Sequence, residues 1–153
     1  MIFNRTQNDV DNAIALRKEK VQTFQELTED EIKILEKGTL TINTLNRIEN
    51  KQNELKQLFE NDFYFVGDIQ SREWNYTDYF KPEDFDRIIL NLEKLKKAYF
   101  VYKDTPRTPS SNYRHYQVIN DVEKILYDLE EMIEDLKNHY RQCGAYECGE
   151  ENI

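Results

Sequence analysis

From Leu45 onward the large apolar residues return at alternating steps of three and four, and they do so in three separate stretches. The positions are 45/48/52/55/59, then 85/88/92/95/99, then 119/122/126/129/133, the last set continuing to Leu136 and Tyr140. That step pattern is one face of an α-helix meeting a neighbour. Superposing Leu45, Phe85 and Ile119 aligns LNRIENKQNELKQLF, FDRIILNLEKLKKAY and INDVEKILYDLEEMI. Asn or Asp follows the leading residue each time, and Leu55, Leu95 and Leu129 coincide. A threefold degenerate repeat predicts three amphipathic helices that bury their stripes against one another. Gln52 places an amide on the first stripe. Closure of the bundle on itself is expected, with part of each stripe left for another chain as the competing reading.

Boundary signals divide the rest. Thr6 with Asp9, and Thr28 with Glu31, make capping boxes for two N-terminal helices. Val10, Ala13, Ile14, Val21 and Phe24 read as one stripe of the first helix, and Gly38 as the left-handed residue ending the second. Thr41 is expected to cap the first repeat helix and Pro82 to open the second. The third is expected to begin shortly before Tyr116, capped by Ser110, Ser111 or Asn112, and to run to about Tyr140. The connector 60–81 holds Phe63, Tyr64, Phe65, Trp74, Tyr76, Tyr79 and Phe80. A stretch that long without structure is uncommon, so Phe63–Val66 is expected to be extended, with a short strand as one form of it, and Trp74 to lie against the bundle. The second connector, FVYKDTPRTPSS, contains Thr-Pro twice and predicts extended or polyproline chain, containing Tyr102. The organisation expected is an N-terminal helical segment (1–40) joined in one domain with a three-helix body (41–140), then an extended arm (141–153). The fold class is all-α.

Composition supports this picture. Gly (4) and Pro (3) are too scarce for a many-turned β fold. No apolar run reaches membrane-spanning length, and MIFNRTQNDV lacks the plan of a signal peptide, so a soluble protein made in the cytosol is expected. The net charge of −9 is uneven. Residues 1–115 carry 18 Lys/Arg against 20 Asp/Glu, whereas residues 116–153 carry 3 against 10. Such a C-terminal third repels nucleic acid and anionic lipid, and neither is expected as a partner. Lys94, Lys96 and Lys97 form a small basic cluster that reads as a solvated helix face.

Candidate chemistry is thin. His139, Cys143 and Cys148 give three of the four ligands zinc requires, the fourth falling to His115 or Glu147. Free thiols are the simpler reading, so no metal or other cofactor is expected. The carboxylate pairs 29–31, 83–84, 130–131 and 134–135 fall at helix starts or on faces turned away from the stripes, which suits the helix dipole better than acid–base catalysis. No phosphate loop, metalloprotease, hydrolase or calcium-loop motif is present, and no catalytic residue is assigned. The aromatics outside the stripes either close the bundle ends or face a partner.

Several segments, in this order, carry a family resemblance: NRTQNDVDNAIALRKE (4–19), LTEDE (27–31), LNRIEN (45–50), REWNYTDYFKPEDFDRIILNLEKL (72–95), TPRTPSS (105–111), YQVINDVEKILYDLE (116–130) and CGAYECGE (143–150). Together they resemble a family of small proteins from tail modules of phages and prophages of low-GC Gram-positive bacteria, encoded near tail-fibre or baseplate genes. FENDFYFVG (59–67) departs from the family pattern in being more aromatic and acidic. The resemblance implies a non-enzymatic virion component, made in the host cytoplasm and built into a tail. Its partners would be other tail, baseplate or fibre proteins, with copies at symmetric positions. The expected interface residues are Phe63, Tyr64, Phe65, Trp74, Tyr76, Tyr79, Tyr102, Cys143, Tyr146 and Cys148. A second class of reading is an acidic inhibitor or DNA mimic binding a host protein, which requires carboxylates spaced along one exposed face. A carbohydrate-binding module, ranked third, requires Trp74, Tyr76 and Tyr79 exposed as a flat platform.

Overall fold

The computed structural model describes residues 1–61, 64–98, 100–110 and 115–143, with side chains through residue 139. The described residues form five α-helices and no strand: α1 (Gln7–Leu16), α2 (Glu29–Gly38), α3 (Ile42–Asn61), α4 (Pro82–Ala98) and α5 (Tyr116–Cys143). A single π-helical segment, Arg17–Val21, continues α1. The three repeats are α3, α4 and α5, and every described stripe residue from 45 to 133 is buried. Val66, Ile69 and Trp74 of the first connector join the same core.

Paired positions along α3, α4 and α5 climb together. Arg47 meets Glu123 and Lys51 meets Glu130, at 2.7 and 2.8 Å. On the other side, Glu49 meets Arg87 at 2.6 Å and Gln52 meets Asn91 at 3.1 Å. The three repeat helices therefore run in the same direction, and each connector has to travel back the full length of a helix. That requirement accounts for the length of both connectors, since parallel elements cannot be joined by a tight turn.

Two of these ion pairs are repeat-related. Arg47 and Arg87 stand third in their repeats, while Glu49 and Glu123 stand fifth. Arg87 of α4 reaches Glu49 of α3, and Arg47 of α3 reaches Glu123 of α5. Asp121 and Ile89 occupy the corresponding third and fifth positions at the remaining interface. Burial alone pushes the Asp121 carboxyl above the usual range.

α1 and α2 pair with each other as a helical hairpin. Both capping boxes form: Thr6 Oγ1 accepts from the Asp9 amide and Thr28 Oγ1 from the Glu31 amide. Lys37 and Lys20 cross the hairpin to Asp9 and Glu31, at 3.1 and 2.6 Å. Hydrogen bonding to Thr6, then to Lys37, holds the Asp9 carboxyl below its ordinary value; Lys20 followed by Thr28 does the same for Glu31. The N-terminal residues fix the hairpin to α5. Arg5 donates its amide to Asn120 Oδ1 at 3.1 Å and accepts from Asn120 Nδ2 at 2.9 Å, and its guanidinium pairs with Glu123. The Phe3 ring lies 5.2 Å from that of Tyr127.

Several expectations need correction. Gly38 is not left-handed. It is the buried last residue of α2, and a Cβ there would lie 2.2 Å from the Asp9 carbonyl oxygen and 2.4 Å from Ala13 Cβ. Glycine is required for close helix approach, while Thr39 leaves the helix in extended backbone. The first stripe also ends early. Ala13 is buried, but Ile14 and Val21 are exposed. Phe24 is 97% exposed and stands in the left-handed region at φ 56°. The Thr23 hydroxyl donates to the Glu19 carbonyl at 2.6 Å and helps turn the chain out of the widened helix.

Tyr64, Phe65 and Val66 form no strand, and Phe63 lies outside the described residues. The second connector is not extended throughout. It turns at Tyr102–Thr105 and binds α5 through Thr105 Oγ1 to Asp128 at 2.9 Å. α5 starts at Tyr116 and reaches Cys143, so residues 141–143, assigned to the extended arm, are helical. Ser111, Asn112 and the remainder of the arm lie outside the described residues.

Candidate protein interface

The first connector lies as a strap in the groove between α3 and α4 and runs back against both. The Tyr64 ring meets Phe59 edge-on at 6.3 Å near the end of α3, whereas Trp74 has returned to Asn46 near its start. Backbone in such a groove loses water, so its amides and carbonyls need partners. Polar side chains projecting from the two helices supply them. Lys94 Nζ donates to the Asp68 carbonyl at 2.5 Å. Asn91 Nδ2 donates to the Gln70 carbonyl at 2.7 Å, and Asn91 Oδ1 accepts from the Gln70 amide at 3.3 Å. Asn46 treats Trp74 in the same two-way manner, at 2.8 and 3.0 Å. Gln52, the amide on the first stripe, donates to the Ile88 carbonyl at 2.9 Å and accepts from Asn91. Its burial is thus fully compensated.

Glu49 is the keystone of the strap. Fully buried, it accepts from the Arg72 amide at 3.1 Å, from Trp74 Nε1 at 3.1 Å, and from Arg87 Nη1 and Nη2 at 2.7 and 2.6 Å. The Arg87 guanidinium is held above its ordinary value chiefly by this bond. A buried carboxylate that receives a bidentate guanidinium and two further donors is the arrangement in which its desolvation is offset. Over the indole, the Arg72 guanidinium stacks 4.5 Å from the ring centroid and its Nη2 pairs with Asp78 at 2.6 Å. The Asn75 amide, followed by the Arg72 charge, lowers the Asp78 carboxyl from its usual range. Gly67 allows a left-handed bend in the strap, at φ 87°.

These anchors divide the expected interface residues into two groups. Trp74 is only 3% exposed and lies in the core against the bundle, as expected, and this burial withdraws it from the set of expected interface residues. Tyr64 is half-buried against Phe59, and Tyr102 is half-buried with its hydroxyl donating to Asp135 at 2.5 Å. Phe65, Tyr76 and Tyr79 project outward from the strap, at 84%, 92% and 85% exposure. Because the indole is internal, Trp74, Tyr76 and Tyr79 do not form a flat sugar platform. A polar cleft of about 220 Å³ lies beside the strap, lined by Asn46, Asn50, Asn53 and Arg72 among others. Phe63, Tyr146 and Cys148 lie outside the described residues, as does the side chain of Cys143.

Two features escaped sequence reasoning. Glu49 and Glu123 were not singled out, because a carboxylate on a helix reads as solvated. Their shared repeat position, two residues after an arginine in α3 and two residues after Asp121 in α5, is the signal that marks them. The other feature is the outer side of the hairpin, where Ile14, Val21, Phe24, Ile32 and Ile34 are exposed.

Several carboxylates of the acidic α5 are engaged within the chain, Glu123 and Asp128 of them at buried positions. Glu123 takes Arg5 and Arg47, Asp128 takes Lys124 and Thr105, Glu130 takes Lys51, and Asp135 takes Tyr102. Among the described residues no group of three or more His, Cys, Asp or Glu is placed to hold a metal ion, and no helix is long and apolar enough to cross a membrane. No protein-family model, no curated protein and no solved structure matches this chain.

Proposed function

We propose that this protein is a non-enzymatic structural component of a phage tail or tail-like particle. It acts as an adaptor associated with the baseplate or tail fibre and binds other virion proteins. The observation that carries the reading is the division of labour in the strap. Its backbone and Trp74 are fixed by buried polar groups, so Phe65, Tyr76 and Tyr79 are presented to solvent from a pre-ordered support. Exposed aromatics on a rigid base bind with little loss of side-chain entropy and are the residues most enriched at interface hot spots. The inhibitor or DNA-mimic reading gains less support, because Glu123 and Asp128 of α5 are buried and paired, while Glu130 and Asp135, nearer the surface, are tied to Lys51 and Tyr102.

The test is mass spectrometry of purified particles, followed by co-sedimentation of the free protein with particles lacking it. The triple variant Phe65→Ala/Tyr76→Ala/Tyr79→Ala is expected to lose co-sedimentation. Its stability should change by only about 0.5 kcal/mol per site, as at exposed positions generally. Absence of the protein from purified particles removes the proposal. Undiminished binding by the triple variant removes the strap as the docking surface.

A further inference from the structure

We infer that the N-terminal hairpin is a self-association surface, on which a second copy of this chain docks about a two-fold axis beside Ile14. α1 and α2 pack chiefly on each other, with Ala13 against Gly38. Counted from that contact at about 100° per residue, Val10 and Ile14 of α1 and Ile32 of α2 share one side of the hairpin. Ile14 and Ile32 are exposed there, and the exposed Val21 follows in the π-helical segment. At the hairpin base the same side opens into a mainly apolar cavity of about 450 Å³, lined by Val10, Leu40, Tyr116 and Ile119 among others. At the tip, Phe24 holds its ring in solvent from a left-handed backbone that glycine would adopt without strain. Backbone strain and a solvated phenyl ring, combined at one residue, point to a contact outside the chain.

Two separate registers agree on the occupant. Asp11 and Lys18, both exposed, flank Ile14 on its side of the helix, three residues before it and four after. Neither takes part in an ion pair among the described residues, and Asp11 accepts from Gln7 Nε2 at 3.0 Å. Antiparallel contact of α1 with α1 of the second copy sets each Asp11 opposite a Lys18 across the axis. The same register carries each Phe24 to the level of Arg5 and Gln7 in the other copy, where the cavity lies. A knob at one end and an apolar hole at the other, exchanged about a two-fold axis, is the self-complementarity an isologous interface requires. Aromatic side chains seated in pockets are common anchors of interfaces. Phe24, Ile14, Val21 and Ile32 expose roughly 400 Å² of apolar surface, against about 800 Å² per partner in a standard interface. The dimer is therefore weak, with a dissociation constant on the order of tens of micromolar.

The surface is independent of the strap and of the proposed role in a virion. Sedimentation velocity from about 5 to about 500 µM tests it, with monomer expected at the low end and dimer at the high end. Ile14→Glu should raise the dissociation constant about tenfold or more by setting two like charges on the axis, and Phe24→Ala should do so by emptying the cavity. Asp11→Lys and Lys18→Asp should each weaken the dimer, whereas the double variant Asp11→Lys/Lys18→Asp should restore it. Rescue by the double variant excludes misfolding as the cause. Circular dichroism at the lowest concentration, where the strain at Phe24 acts without the contact, should match the parent in every variant. A chain that stays monomeric throughout, a dimer indifferent to Ile14→Glu and Phe24→Ala, or a double variant no better than the single ones overturns the inference. So does a hairpin protected from amide exchange only when purified particles are added, which assigns the face to another virion chain.

Discussion

Replacing Glu49 with Gln tests whether the strap hangs on one carboxylate. The substitution keeps the side-chain shape but removes the charge and turns one acceptor oxygen into an NH₂ group. Four donor contacts from Arg72, Trp74 and Arg87 then face a group with a single acceptor. Breaking a buried ion pair by removing one partner costs about 3–5 kcal/mol. Arg87 keeps 18% of its side-chain surface exposed and can partly rehydrate, and the remaining Gln oxygen still accepts one bond, so about 2–3 kcal/mol is expected. For a chain of this size that corresponds to a fall in Tm of about 5–10 °C. Trp74 is the only tryptophan, so its emission reports the strap directly. In Glu49→Gln it should shift to the red and become accessible to acrylamide before the helical signal is lost in urea. A variant with unshifted emission and a stability loss under about 0.5 kcal/mol, the level of an ordinary surface change, refutes the keystone role.

Three further outcomes follow from the geometry. Gly38→Ala should cost about 1–3 kcal/mol, the usual range for overpacking, because the Asp9 backbone and Ala13 have to move away; amide exchange should accelerate in α1 and α2 more than in α3–α5. Phe24→Gly should stabilise by about 0.5–1 kcal/mol in urea denaturation, since it relieves a left-handed residue whose ring is exposed, and a loss of stability would show that the ring has a packing role. The hydrogen bond to Asp135, reinforced by burial, pushes the Tyr102 phenol up to about 12. The folded state therefore favours the neutral phenol, and that stabilisation is complete below the unfolded value of about 10 and lost as the pH climbs through the folded one. Phenolate absorbance should show one late-titrating group that disappears in Tyr102→Phe, and the urea midpoints of the two proteins should converge over the same interval.

The three repeat helices were legible because a three-and-four apolar step has few other physical solutions; Thr41 and Pro82 marked the starts of two of them by local chemistry, and Thr6 and Thr28 those of α1 and α2. What was not legible depends on distance through space. Gly38 looked like a helix stop because glycine usually is one; only the approach of Asp9 and Ala13 gives it a different reason. Phe24 continued the apolar period on paper, but the backbone widened into a π-turn before reaching it. Glu49 and Glu123 look solvated in isolation, and their burial follows from arginines 38 and 76 residues away. The candidate interface was half legible: the aromatics were apparent, but which faced inward depended on hydrogen bonds to Asn46 and Glu49.

The repeat-related arginine–glutamate pairs bear on the handedness of the bundle. Three parallel, similar helices could wind around their common axis either clockwise or anticlockwise, and the apolar stripes would be buried in both. Each helix carries its third repeat position on one flank and its fifth on the other. Reversing the winding would set Asp121 against Glu49 and leave Arg47 facing Ile89, with one matched pair surviving. The observed winding keeps both pairs. A few charged residues beside the stripe thus discriminate between mirror-related arrangements that the greasy surfaces alone leave nearly degenerate.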